Sequence, residues 1–167
     1  MICDLTISVL AGIAIRARET IFAYTEVAGR QVPETVTSRT MPEEPGRTTV
    51  TRLSHAANVA RSESSYAVLE TGREVRDAEG RLLARIEKFF DGQTAPGPVL
   101  RGDLTKVRVH LTEAGETPYA DTDFTLDAYG HVTRVRSPEG QVSTTCWDKL
   151  ALYPARVQGP TGLVTGQ

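Results

Sequence analysis

The sequence is poor in the residues that staple, anchor or catalyse. Cysteine occurs only as Cys3 and Cys146, which excludes a disulfide-dense scaffold and fits no Cys-x-x-Cys metal spacing. Whether the two pair is open at this level, and so is the redox compartment. Lysine is limited to Lys88, Lys106 and Lys149, so nearly all the positive charge is arginine. Cations total 19 against 21 acids, a formal net charge of −2. That balance gives no general attraction to nucleic acid or to an anionic membrane. The one long apolar stretch, Leu5 to Ile15, is too short for a spanning helix. Arg16 and Arg18 follow it where a secretory signal would carry charge in front. It reads instead as a buried strand pair broken near Gly12. No His-Glu-x-x-His, Gly-x-Ser-x-Gly, Walker or dinucleotide fingerprint is present.

What the chain has is period-two alternation, rich in Thr and Val, and regularly spaced turn signals. In Leu104 to Leu111, Thr105, Val107, Val109 and Leu111 face one way, and Lys106, Arg108 and His110 the other. This predicts a strand with one buried and one wet face. Thr20–Val27, Thr48–Leu53, Tyr66–Glu70, Leu82–Phe90 and Val142–Trp147 read similarly. Turns are expected at Ala28-Gly29, Pro45-Gly46, Glu79-Gly80, Asp91-Gly92, Tyr129-Gly130 and Glu139-Gly140. Arg39–Arg47 and the Pro-Gly-Pro stretch within Gln93–Pro98 read as loops. The best helical candidate is the Ala-rich run Ser54 to Ser65, which has no clear apolar stripe. The fold class is therefore all-β: one antiparallel meander of about ten or more short strands.

Self-similarity emerges when the turns are aligned. Asp77-Ala78-Glu79-Gly80 matches Asp127-Ala128-Tyr129-Gly130, and Pro138-Glu139-Gly140-Gln141-Val142 matches Pro160-Thr161-Gly162-Leu163-Val164. Each reads as a hairpin tip in which Gly takes positive φ, so Gly80 and Gly130 are expected in that region. The run TDFTLDAYGHVTRVRSPEGQVSTTCWD resembles the Rhs/YD repeat. FFDGQTAPGPVLRGDLTKV and WDKLALYPARVQGPTGLVTG resemble segments of the Rhs-type B component of bacterial insecticidal toxin complexes. Leu126 stands where the repeat usually has Tyr, and Trp147 precedes Asp148 where Tyr is expected. The resemblance is best over residues 73–167, and residues 1–167 are read as a single region of this kind.

The resemblance implies a strip of a large, hollow β-shell that encapsulates a toxin or effector. Its implied partners are the remainder of the shell, other toxin-complex subunits and the cargo, and its implied setting is secreted and bacterial. The family's self-cleaving C-terminal signature has no counterpart, so no catalytic residue is carried over. A chain of this length would be a fragment, since about ten strands cannot enclose a chamber. It is expected to be marginally stable alone and to self-associate through open edges.

Further constellations each have a functional and a plain reading. Arg101-Gly102-Asp103 is an integrin-type triplet, but Gly102 also serves as a plain turn before the next strand. Asp121, Asp123 and Asp127 suggest a calcium loop, yet Leu126 stands at the sharp-turn glycine position of an EF-hand and no closing Glu follows. Cys146 with His110 or His131 could form a nucleophile and base, although the alternation of Val142, Thr144 and Cys146 implies a buried, inert thiol. Trp147, Phe89, Phe90, Phe124 and Tyr153 could stack sugars, but aromatics at strand positions more often pack. The expectation is a structural protein, not an enzyme, with no catalytic, cofactor-binding or metal residue. The rivals are a cell-surface glycan- or receptor-binding module and a small Cys-His hydrolase.

Overall fold

The computed structural model describes residues 2–8, 16–41, 48–58, 68–110 and 118–166. These form twelve β-strands, with no helix among the described residues. They are β1 (Ile2–Ser8), β2 (Arg16–Val27), β3 (Arg30–Met41), β4 (Thr49–Ala57), β5 (Val68–Asp77) and β6 (Leu82–Phe90). Then come β7 (Leu104–His110), β8 (Tyr119–Leu126), β9 (Val132–Arg136), β10 (Val142–Trp147), β11 (Pro154–Gln158) and β12 (Val164–Gly166). The spatial order of the sheet is the sequence order, β1 through β12, every strand pairing is antiparallel, and the sheet is open.

The two matched turns fold as expected and alike. Asp77 N–H donates to the Arg81 carbonyl at 3.0 Å and Gly80 N–H to the Asp77 carbonyl at 3.1 Å. Asp127 repeats this with His131 at 2.9 Å and Gly130 at 3.2 Å. Gly80 and Gly130 have φ of 81° and 91°, the region that side chains resist. The turns at Ser137–Gln141 and Gly159–Leu163 use the same pair of backbone bonds. From Asp127 onward the tips fall every ten or eleven residues. One of them, Asp148–Tyr153, carries no glycine and turns instead on Ala151 at φ 55°. That turn is not legible in the sequence, because the residue type that signals positive φ is missing.

Several expectations are corrected. Ser54–Ala57 extend β4 and Asn58 forms an isolated bridge to Val99, so the expected helix does not start there; its remainder lies outside the described residues. Arg39 to Met41 belong to β3, a twelve-residue strand that the periodicity does not single out and that carries Pro33. The strand pairing skips Glu34, a bulge beside the proline, whose ring cannot donate to a ladder. Of the predicted pair in Leu5–Ile15, Leu5–Ser8 lie in β1 and the rest lies outside the described residues, as does the Pro45-Gly46 turn.

Alternation along β7 is correct, but the expected contrast between a buried and a wet face is absent: its residues are half-buried on both faces except Val109, which is exposed. Val109 is 38% exposed, whereas the Arg108 side chain is 21% exposed. Among the described residues no second layer of strands covers the aliphatic face (Leu53, Val75, Ile86, Val109, Phe124, Val135), while the charged side chains opposite cover one another. Fully buried apolar side chains are correspondingly few among the described residues: Phe89, Phe90 and Val99. The chain exposes 11559 Å², against roughly 8,100 Å² for a compact monomer of this length.

Candidate functional site

Two arrangements dominate the molecule: a pinned loop at one end of the sheet and a ladder of charges on one face. The loop is the 91–103 connection between β6 and β7. It opens on the expected turn at Asp91 and Gly92, both at positive φ, closed by the Gln93 N–H donating to the Phe90 carbonyl at 3.0 Å. The Asp91 carboxylate holds the rest of the loop. Its Oδ2 accepts from the Leu100 N–H at 2.7 Å and the Arg101 N–H at 3.2 Å, and its Oδ1 from Gly102 and Asp103, both at 3.1 Å. Four backbone donors on one carboxylate form a nest that fixes the segment's path. Gln93 and Asn58 donate side-chain bonds to the carbonyls of Pro98 and Arg101. Val99 and Phe89 are buried beneath.

The Arg-Gly-Asp triplet lies inside this knot. Its three N–H groups are among those bound by Asp91, and Arg101 Nη2 lies 3.2 Å from Asp103 Oδ2 and 3.3 Å from the Ala128 carbonyl. The two charges close on each other instead of pointing outward as a pair. Gly102, at φ 90°, has no room for a side chain. A Cβ there would meet Asn58 Nδ2 at 3.0 Å and Leu69 Cδ1 at 3.1 Å.

The charge ladder comes from register. Directly opposed residues share a face, and the opposed charges alternate in sign. Arg52, Glu74 and Arg85 form one row across β4–β6. Glu87, Arg108 and Asp121 form the next across β6–β8. Lys106, Asp123 and Arg136 form a third across β7–β9. The middle row is the tightest: Arg108 Nε and Nη2 each lie 2.8 Å from the two oxygens of Asp121. The Arg108 guanidinium also sits 3.8 Å from the Tyr119 ring centroid. The Arg108 bonds, helped by Lys106 at 3.2 Å, hold the Asp121 carboxyl down at about 2.

His110 Nε2 lies 2.9 Å from Glu87 Oε2, and Arg85 Nη2 is 2.6 Å from the other oxygen. Burial pushes the Glu87 carboxyl up, but these two partners outweigh it and its pKa lies below the ordinary carboxylate value. Gly72 leaves a gap in this face. Together with Arg52, Ser54, Glu74, Arg85 and the overhanging Pro96 it lines a shallow pocket of about 240 Å³.

The other sequence candidates are dispersed. Asp121 and Asp123 stand in the ladder, whereas Asp127 caps its own turn, accepting from Tyr129 and His131 N–H at 2.9 and 3.0 Å. No group of three or more metal-ligating side chains occurs among the described residues. Cys146 is a free thiol and exposed, which corrects the expected burial. Among the described residues no layer covers its face of β10, so alternation alone could not bury it. His110 is committed to Glu87. His131 is bound to Asp127 at 3.1 Å and stacked on Trp147 with ring centroids 4.4 Å apart. Neither imidazole is joined to Cys146 by a hydrogen bond. Phe89 and Phe90 pack, Phe124 and Trp147 are half-buried, and Tyr153 is 70% exposed, contrary to a packing role.

Sequence reasoning missed Asp91 and the ladder. For Asp91 the adjacent Gly92 marked the turn correctly, but nothing in the sequence tied its carboxylate to backbone nine to twelve residues further on. For the ladder the cue was present, as charges at alternate positions of successive strands, but it becomes a pattern only once register is known.

Among the described residues these features define an open antiparallel β-meander with one ion-paired face and a loop pinned at one end. No helix among the described residues is long and apolar enough to cross a membrane. No family model matches the chain, and no curated protein matches it.

Proposed function

We propose that the chain is a wall segment of an Rhs/YD-type β-shell that encloses a toxin or effector. Its partners are then the remaining shell, other subunits of a toxin complex and the enclosed cargo, in a secreted bacterial assembly. The reading supplies no catalytic role for the chain.

The observation that carries it is a wide sheet with little buried apolar surface among the described residues. Twelve strands lie in sequence order, few apolar side chains among the described residues are buried, and the exposed area is far above that of a compact monomer. A wall has this shape, because it is built from width in place of thickness. The ladder supports it as well, since cross-strand ion pairs hold register within the sheet itself. The closed Arg101–Asp103 pair argues against a receptor-binding triplet.

Sedimentation over about a hundred-fold range of concentration, with electron microscopy of the products, tests the reading. A wall segment should associate edge to edge into sheets or curved particles. A sharp monomer that unfolds cooperatively on heating would overturn it.

A further inference from the structure

The ladder stops at β9. On the charged face, Arg134 and Arg136 of β9 stand at alternate positions. Arg134 is opposite Thr144 of β10, and two residues along β10 Cys146 is opposite Arg156 of β11. All three arginines are therefore on one face, and all three are exposed. Among the described residues, none of the three makes an ion pair or a side-chain hydrogen bond. Arg136 faces Asp123 across the register, but that carboxylate lies 3.5 Å from Lys106. The remaining positions on this face of β10 and β11 are Val142, Thr144, Cys146, Pro154 and Gln158, none of them acidic. One face thus has a half over β4–β8 in which most charges are ion-paired and a half over β9–β11 whose three arginines form no ion pair among the described residues.

We propose that the β9–β11 half of the charged face is a docking surface for an extended acidic polypeptide segment. This inference stands independently of the wall role. Charge complementarity selects an anion, and arginine selects planar carboxylates that its guanidinium can grip with two donors. Spacing selects the form. Alternate residues of an extended chain repeat every ~6.6–6.8 Å, which is also the separation of Arg134 and Arg136 along β9. Glu or Asp at alternate positions of a segment laid along β9 would meet both. Thr144 and Gln158 provide neutral hydrogen-bonding groups beside them. A long polyanion fits less well, because Asp121 and Asp123 border the patch and the whole chain carries a net charge of −2.

The test is fluorescence anisotropy on the full chain with a labelled peptide alternating Glu and Thr over ten residues. Controls are a peptide of equal composition with its Glu in one block, one with Lys for Glu, a sulfated polysaccharide and duplex DNA. The alternating peptide should bind best, and its affinity should fall steeply between about 50 and 300 mM salt. Arg134→Gln with Arg136→Gln should weaken it about ten-fold or more, and Arg156→Gln less. Arg52→Gln, at an exposed arginine elsewhere on the same face, should leave it unchanged. Circular dichroism of each variant verifies folding, and Arg134→Lys with Arg136→Lys should restore part of the affinity. Absence of peptide binding, or binding indifferent to Arg134 and Arg136, overturns the proposal. Tighter binding of the polysaccharide or DNA overturns the choice of partner.

Discussion

A single carboxylate, that of Asp91, organises more backbone than any other side chain among the described residues. An Asn at this position would keep the shape but present one oxygen and one NH2 group to four donors. Two N–H groups would then face an amide nitrogen that cannot accept. Asp91→Asn should therefore cost about 2–3 kcal/mol in urea melts, and should speed proteolysis within 93–102. Asp91→Ala removes the acceptor for all four N–H groups and places alanine at positive φ, so it should cost more than Asp91→Asn in the same melts.

Glycines offer a second contrast at this scale. Gly80 sits at φ 81° with nothing within 4 Å of the place a Cβ would take, so Gly80→Ala tests backbone strain alone. The expected cost is about 1 kcal/mol. Gly102→Ala adds contact with Asn58 and Leu69 to the same strain and should cost clearly more in the same melts. Gly130→Val should cost more than Gly130→Asn, since Asn tolerates the left-handed region.

At the scale of strands, the ladder makes electrostatic predictions. Arg108 and Asp121 form its two-pronged pair, so a double-mutant cycle with Arg108→Gln and Asp121→Asn should give a coupling of about 1 kcal/mol. The sign with pH follows from a folded-state carboxyl held at about 2, below its ordinary value. The stabilisation is complete above the unfolded pKa of ~3.9 and disappears as pH falls through about 2. Urea melts of the native chain and Asp121→Asn should differ by a constant amount above pH ~4.5 and converge toward pH ~2. A difference that persists unchanged at pH ~2 would mean that ionisation is not what stabilises the pair.

Strands also show what the sequence could and could not disclose. Glycine-marked tips such as Asp77–Gly80 were legible because positive φ has a residue signature. The tip at Asp148–Tyr153 was not, because Ala151 carries no such mark. Alternation in β7 was legible, but the half-burial of both its faces was not, since burial depends on whether a second layer exists. Asp91 and the trio of Arg134, Arg136 and Arg156 became candidates only when loop path and register were known. Local chemistry writes itself into neighbouring residues; pairing between distant ones does not.

For the molecule as a whole, the open edges of β1 and β12 carry unpaired backbone groups among the described residues. Such edges recruit other strands. The isolated chain should sediment as a concentration-dependent mixture whose average mass rises with loading. Thr165→Lys, at the β12 edge, should reduce that association, because charge on an edge strand disfavours further pairing. A single species unaffected by Thr165→Lys would exclude β12 as an assembly edge.

Because each strand pairs only with its neighbours in sequence, no pairing has to wait for a distant part of the chain to arrive. An all-β protein of this size would ordinarily fold slowly, since its contacts close long loops. Here every closure between named strands is short, the Asn58–Val99 bridge apart, so the sheet can grow one hairpin at a time from any nucleus, as a stacked repeat array does. During synthesis each strand would find its partner already present. Removing one hairpin, such as β9 with β10, would shorten the sheet and leave the rest of its order readable.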